Sequence, residues 1–282
     1  MKSVGELISV SSAFLQEKGQ LQPRREVEEL LASVLQLKRI DLYLQHDRPV
    51  EEREVELFRE YIRRKAKREP LEYILGQTSF YDCTIRVNRS TLIPRPETEI
   101  LVDLIVKKLR GQDLSQKALW DVCSGSGCIG IAIKKALPSL RVILSDLSSD
   151  ALSLAAENAR LNNVQVEFLA GDLLAPFQGE LADYIVCNPP YISEKEYGEL
   201  DSAVAHFEPR LALVGGKTGL EYYQRLAETL PSFLKNGGEV FFEIGKDQGD
   251  ALKQIFSLRS WAQFCVKQDF SGLDRFFFLE KQ

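Results

Sequence analysis

The stretch Ile185-Val186-Cys187-Asn188-Pro189-Pro190-Tyr191 ends an apolar run on an asparagine, two prolines and a tyrosine. Each proline fixes φ and lacks an N–H, so the turn is stiff and its carbonyls meet few competing donors. Asn188 adds a side-chain carbonyl acceptor, and Tyr191 a flat, partly polar face. Such a surface suits a planar group bearing an –NH₂, with two acceptors for its two hydrogens and a ring to lie against. A proline-rich strand terminator with Asn188 as a turn residue would read the same way, so the neighbouring motifs must decide.

One such motif is Asp121-Val122-Cys123-Ser124-Gly125-Ser126-Gly127-Cys128-Ile129-Gly130, in which three glycines fall at GxGxxG spacing between a strand pattern and a helix pattern. A lone GxGxxG can be no more than a tight turn with close helix packing. Here Asp146 ends the next strand, 21 residues after Gly125, where a carboxylate could grip ribose hydroxyls. Asp121 then chooses among nucleotides. A pyrophosphate would meet its negative charge unfavourably, whereas an ammonium and a sulfonium would welcome it. S-adenosylmethionine carries both, and S-adenosylhomocysteine would be its product. A third acid, Asp172, follows the third strand and could accept from the adenine amino group, with Leu173 against the ring. Asp121, Asp146 and Asp172 end strands one, two and three, and an open parallel sheet binds its ligand at those carboxyl ends. The residues alone thus point to a cofactor site at the Gly125–Gly130 turn, Asp121, Asp146, Asp172 and Leu173, with no metal.

Positioning these residues requires a particular succession of elements. Strands are expected at 119–123, 142–146, 166–169, 184–187, 239–244, 264–267 and 276–279, and helices at 97–110, 127–137, 149–162, 219–234 and 247–257. Alternating β and α predicts a doubly wound, Rossmann-like α/β sheet of seven mostly parallel strands. Only about eight residues join the last two strands, and a parallel crossover needs a dozen or more, so the final strand should enter antiparallel. Before this lies a different region. Residues 1–72 read as a small helical domain, with a capping box at Ser3-Val4-Gly5-Glu6, a second helix after Pro23 and a third after Pro49. Residues 73–92 alternate β-branched and aromatic with polar residues, which predicts a hairpin linking that domain to 93–282.

Composition narrows the class. The 282 residues are 44% hydrophobic and 27% charged, with no apolar run of membrane-spanning length and no charged-then-apolar leader pattern. Five cysteines form no CxxC pair, which argues against disulfides and zinc and for a reduced, cytoplasmic setting. Two histidines, His46 and His206, leave little material for a Ser-His-Asp relay. The net charge of −5 is uneven, and residues 93–282 hold the acidic excess, which disfavours a long nucleic-acid footprint. The basic cluster Arg63, Arg64, Lys65, Lys67 and Arg68 could invite nucleic acid. It also complements a helix dipole whose other end carries Glu51, Glu52, Glu54 and Glu56, and that plainer account is preferred.

Taken together, Asn188–Tyr191, Asp121–Gly127, the segment Leu92-Ile93-Pro94-Arg95-Pro96-Glu97-Thr98-Glu99 and Phe207–Leu220 resemble the HemK/PrmC glutamine methyltransferases over nearly the whole chain. The resemblance implies a class I methyltransferase fold and transfer of methyl from S-adenosylmethionine to the side-chain amide nitrogen (N5) of the GGQ glutamine in peptide-chain release factors. It also implies release factors as protein partners, with no membrane and no direct nucleic-acid substrate. Carried over residue by residue, the cofactor site falls on Cys123–Gly127, Asp146, the region of Leu173 and Asn188. The catalytic glutamine clamp falls on Asn188, Pro189, Pro190 and Tyr191. Arg95, Glu97 and Thr98 are expected to line or brace the substrate pocket, though a proline-started helix with acids in its first turn also explains Glu97 and Glu99. The chain departs from the commoner pattern at Cys123, where many relatives have glycine, and at Leu173, where some have tryptophan. Competing readings are an N6-adenine methyltransferase with the same clamp, a glutamine methyltransferase of a ribosomal protein, a nicotinamide-dependent oxidoreductase, and a non-catalytic adaptor.

Overall fold

Ser3 opens the first helix of the computed structural model, which describes residues 2–258 and 261–282. Its hydroxyl accepts the Glu6 N–H at 3.3 Å while the Glu6 carboxylate accepts the Ser3 N–H at 2.8 Å, a reciprocal capping box. Helices α1 (Val4–Glu17), α2 (Pro23–Leu35), α3 (Arg39–Leu44), α4 (Glu52–Ala66) and α5 (Leu71–Leu75) follow. They bury Leu15, Leu30, Leu31 and Phe58 in a core of their own. Residues up to Gly76, with Asp201–Phe207, form one compact unit. The basic end of α4 is tied to carboxylates inside this unit: Arg64 donates twice to Glu69 at 2.9 and 2.8 Å, Lys65 pairs with Glu26 at 2.7 Å, and Arg68 pairs with Asp201 at 2.9 Å.

The second unit, 77–200 with 208–282, begins with the antiparallel hairpin β1 (Gln77–Phe80) and β2 (Cys83–Arg86). Next come α6 (Pro96–Leu109), β3 (Ala118–Val122), α7 (Cys128–Ala136), β4 (Arg141–Asp146), α8 (Ser149–Leu161), β5 (Glu167–Ala170) and β6 (Ala182–Cys187). The chain continues through the short α9 (Glu194–Tyr197) and α10 (Ser202–Phe207), then α11 (Glu221–Thr229), β7 (Leu234–Glu243), α12 (Gly249–Ser257), β8 (Trp261–Gln268) and β9 (Asp274–Lys281). The hairpin is fastened to this unit. Asn158 accepts the Arg86 N–H at 2.7 Å and Asn162 the Thr84 N–H at 3.1 Å, and both donate back to the same residues' carbonyls.

The seven strands lie in the order β5-β4-β3-β6-β7-β9-β8. The first five run parallel, and β9 is antiparallel to both neighbours. The last strand therefore enters antiparallel, as its short connection requires. Strand order reverses between β3 and β6, the switch point at which an open sheet leaves a crevice. One expected helix is shorter than its periodicity implied. The segment read as 219–234 stops at Thr229 and tightens into a 3₁₀ turn over Leu230–Ser232, because Pro231 has no N–H to continue the ladder. Leu234 already belongs to β7.

Asp183 pins the sheet at the end opposite the crevice. Its buried carboxylate accepts from Lys117 at 2.9 Å, Lys235 at 2.7 Å and the Ala118 N–H at 3.0 Å, joining the starts of β3, β6 and β7. Burial pushes its pKa up, but the two lysines and the backbone N–H outweigh that and hold it below the ordinary carboxylate value. Replacing Asp183 with Ala strands the backbone donor and should cost about 3 kcal/mol by urea denaturation near neutral pH. Because the folded-state pKa is depressed, that difference should shrink as pH falls below about 3.8, the ordinary value.

Candidate active site

Register places the two chemical loops side by side. Val122 pairs with Cys187 across the parallel β3–β6 ladder, so Cys123 and Asn188 are the next residues on adjacent strands, at the switch point. Both line one cavity of about 240 Å³, against roughly 30 Å³ for a water in the liquid, so the space suits an organic ligand. Ser124, Gly125, Ser126, Asp146, Asp172, Leu173, Pro190 and Arg95 line it as well. Of the other residues singled out from the sequence, Asp121, Gly127, Pro189 and Tyr191 are not on the cavity wall.

The loop after β3 is held from beneath. Asp146 accepts the Gly125 N–H at 2.8 Å through one oxygen and the Ser148 N–H at 2.9 Å through the other. Gly125 has φ +52° and nothing within 4 Å of where a Cβ would stand, so the loop opens a backbone-lined cradle toward the cavity. The Ser124 hydroxyl is buried beside the loop, with no partner among the described residues. Leu173 forms an apolar wall with Leu147, a residue the sequence reading passed over although it directly follows Asp146. A carboxylate at the cavity, an open backbone cradle and apolar walls fit an adenosyl group. The two departures from the family pattern share a cause for comment: Cys123 has φ +59° and Leu173 φ +50°, the left-handed region where a side chain is strained. Asp172 lines the cavity with one carboxylate oxygen ion-paired to Arg225.

Asp121 was expected to face a cationic ligand. It is instead fully buried behind the loop, accepting the Gly130 N–H at 2.8 Å and anchoring the start of α7. Its other oxygen has no partner among the described residues. Burial, with Asp146 adding repulsion and the Gly130 N–H opposing, pushes its pKa up to about 7.

On the other side of the cavity, the turn after β6 rests on polar groups. Glu243, next to Asn188 one step beyond the Cys187–Phe242 pair, accepts from the Thr98 hydroxyl at 2.7 Å, and Asn188 beside it favours its ionised form. The Tyr191 ring packs into the core and its hydroxyl faces Arg275, so it does not offer the flat face the sequence suggested. Burial pushes its pKa up. Its carbonyl accepts from Gln248 at 3.0 Å. The segment Leu213–Gly219 brackets the turn. Gly215 N–H donates to the Ile192 carbonyl at 2.9 Å, and a Cβ at Gly215 would stand 2.3 Å from the Pro190 oxygen. Only glycine permits that approach. Glu208 joins the last two motifs: it is buried, accepts the Ile93 N–H at 3.1 Å, and pairs with Arg95 at 2.6 Å. Neither Glu208 nor Glu243 was singled out from sequence; nothing local marks an acid whose partner lies more than a hundred residues away.

Comparison with known proteins agrees with this geometry. Residues 6–76 match the PrmC N-terminal domain and residues 96–207 the methyltransferase small domain. A release factor glutamine methyltransferase of Chlamydia trachomatis is 42% identical over 277 residues, covering 98% of this chain and 94% of the relative. One from Chlorobaculum tepidum is 40% identical over 282 residues, covering 97% and 95%. Among solved structures, a Thermus thermophilus 16S rRNA N2 G1207 methyltransferase in complex with AdoMet and guanosine superposes with TM-score 0.54 at 16% identity, covering 73% of this chain and 50% of that one, a likeness of fold.

The raised pKa of Asp121 has a measurable consequence. The native state favours its protonated form, so that contribution is complete below the ordinary value of 3.8 and is lost as pH rises through about 7. Asp121→Asn keeps the acceptor for Gly130 and removes the charge. Its stability relative to wild type should rise between about pH 4 and pH 7, by at most about 4 kcal/mol at 1.36 kcal/mol per pH unit. Urea melts near pH 5 and pH 8 measure this, and an unchanged difference would show that the carboxyl is not held neutral.

Proposed function

The chain belongs to the release factor glutamine methyltransferase family, and we propose that it methylates the side-chain amide nitrogen of the GGQ glutamine in peptide-chain release factors, using S-adenosylmethionine. The observation that carries this reading is that Asn188 and the Cys123–Ser126 loop face one cavity from adjacent strand ends. An acceptor for a planar –NH₂ thereby meets a nucleoside cradle. The relatives' identity across both units supports the substrate, and the cytoplasm, where release factors work, follows as its setting.

The cofactor supplies an electrophilic methyl on a sulfonium. The Cys123–Ser126 backbone, Asp146, Leu147 and Leu173 would hold the adenosyl group. Asn188 takes up the substrate amide. That nitrogen is a poor nucleophile because its lone pair is delocalised, as the barrier of roughly 18–20 kcal/mol to amide rotation shows. As it attacks, its hydrogens become more acidic, so the Asn188 side-chain carbonyl binds them more tightly in the transition state. Such an acceptor contributes about 3 kcal/mol by analogy with an oxyanion-hole donor. Alignment of nitrogen and methyl by the rigid turn contributes more, since oriented reactants save roughly 7–11 kcal/mol. Transfer would break the methyl–sulfur bond, its electron pair staying on the neutral thioether of S-adenosylhomocysteine, and the methylated nitrogen, by then strongly acidic, would give its proton to water. Neither His46 nor His206 lines the cavity, and the scheme needs no histidine base.

Mass spectrometry of purified release factor, incubated with the protein and S-adenosylmethionine, should find one added methyl on the GGQ glutamine. Asn188→Ala should lower turnover by about a hundredfold or more while S-adenosylmethionine affinity changes by only a few fold. Methyl transfer to adenine in nucleic acid with none to release factor would overturn the substrate, and normal turnover in Asn188→Ala would overturn the clamp.

A further inference from the structure

Asn188 can act as an acceptor only in one of its two amide orientations. The alternative rotamer points its –NH₂ at the substrate's –NH₂, setting donor against donor. Glu243, off the cavity wall and beside Asn188, can make that choice. We propose that Glu243 is the positioning residue for this reaction: its carboxylate, accepting from the Asn188 amide nitrogen, turns the Asn188 carbonyl into the cavity. The inference rests on the methyltransferase reading above and adds to it the group that orients the clamp.

Geometry carries it. Glu243 ends β7 beside the end of β6, is buried, and has the Thr98 hydroxyl as a donor at 2.7 Å. An ionised carboxylate has no hydrogen to give, so it can meet only the nitrogen side of Asn188. A protonated carboxyl can donate to the Asn188 oxygen instead, and the preference is lost. The groups facing Glu243 come from every neighbouring element: Thr98 and Glu97 on α6, Arg275 on β9, Asn188 and Tyr191 on the proline turn, Tyr223 on α11 and Cys128 on α7. Burial pushes the Glu243 pKa up to about 6, with Thr98, Arg275 and Asn188 opposing and Glu97 assisting. Tyr191, Tyr223 and Cys128 are all shifted upward by burial and stay neutral throughout this range. Orientation should therefore fail as pH falls through about 6.

The test is the pH profile of release-factor methylation under single-turnover conditions. Wild type should lose rate on the acid side with a midpoint near 6. Glu243→Gln, isosteric and able to donate to the Asn188 oxygen, should lower the rate near neutral pH about tenfold, leave S-adenosylmethionine affinity within about twofold, and lack that limb. Asp121 titrates close by, so the limb is assigned to Glu243 by its loss in this variant rather than by its midpoint. Thr98→Val removes a hydrogen bond that favours the ionised form, and should move the limb to higher pH. A merely structural role would depress the rate equally at all pH values. Glu243→Gln at the wild-type rate, or with the wild-type acid limb, overturns the inference. Should Glu243→Gln fail to fold by thermal melting, an unshifted limb in Thr98→Val overturns it. Absence of methylation by wild type would instead strike at the parent reading.

Discussion

A carboxylate withdrawn from water must find donors, and this molecule uses that requirement to set its site. Asp183 takes its donors from the starts of three strands, and Asp146 and Asp121 take backbone N–H groups from the glycine loop. Glu208 reaches Ile93 and Arg95, and Glu243 reaches Thr98. Each acid, buried or half-buried, ties its own element to another part of the chain. Because an unpaired buried charge is so costly, each junction has essentially one satisfactory geometry. The cost stays in the structure as raised pKa values at Asp121 and Glu243, the two acids for which burial is the largest cause and donors do not fully compensate.

Steric exclusion complements this electrostatic fastening. The proline pair stiffens the end of β6, and Gly215 and Gly219 let a neighbouring segment press onto its backbone, each at a point where a Cβ would stand about 2 Å from a carbonyl oxygen. A rigid turn backed by close main chain cannot yield when a substrate arrives, which is the pre-organisation that methyl transfer to a weak nucleophile needs. On the cofactor side the chain accepts strain instead. Cys123 and Leu173 occupy left-handed conformations that glycine would adopt without cost, and both line the cavity.

What could be read from the sequence follows the range of the interactions. Strand ends, the glycine spacing and the short last connection are local, and they delivered the parallel sheet, its antiparallel final strand and the loops at its carboxyl ends. Asp146 and Asn188 were legible because a strand's last residue is tied to its loop. Asp121 and Tyr191 were misjudged because which way a residue faces at a strand end depends on a turn whose path a pattern does not specify. Glu208 and Glu243 went unread for a different reason. Their partners lie 115 and 145 residues away, and a single sequence carries no record of such pairing. The helix over 219–234 was overextended because apolar periodicity was allowed to outweigh Pro231, a local signal that was present.

The same paired charges bear on which –NH₂ the clamp accepts, since its chemistry alone would serve adenine as well as glutamine. Nucleic acid would have to be gathered chiefly through its phosphates, which calls for cations free to exchange with counterions. Arg95 lines the cavity but is matched by Glu208, and Arg225 at the rim is matched by Asp172. In the helical unit, Arg64, Lys65 and Arg68 are each matched by a carboxylate too. These pairings leave fixed hydrogen-bonding forks where a phosphate-binding stripe would need open charge, and residues 93–282 are acidic overall. A polypeptide carries no backbone charge to be neutralised, so it is the substrate such a surface disfavours least. The choice of glutamine over adenine is therefore made by the charges around the clamp rather than by the clamp.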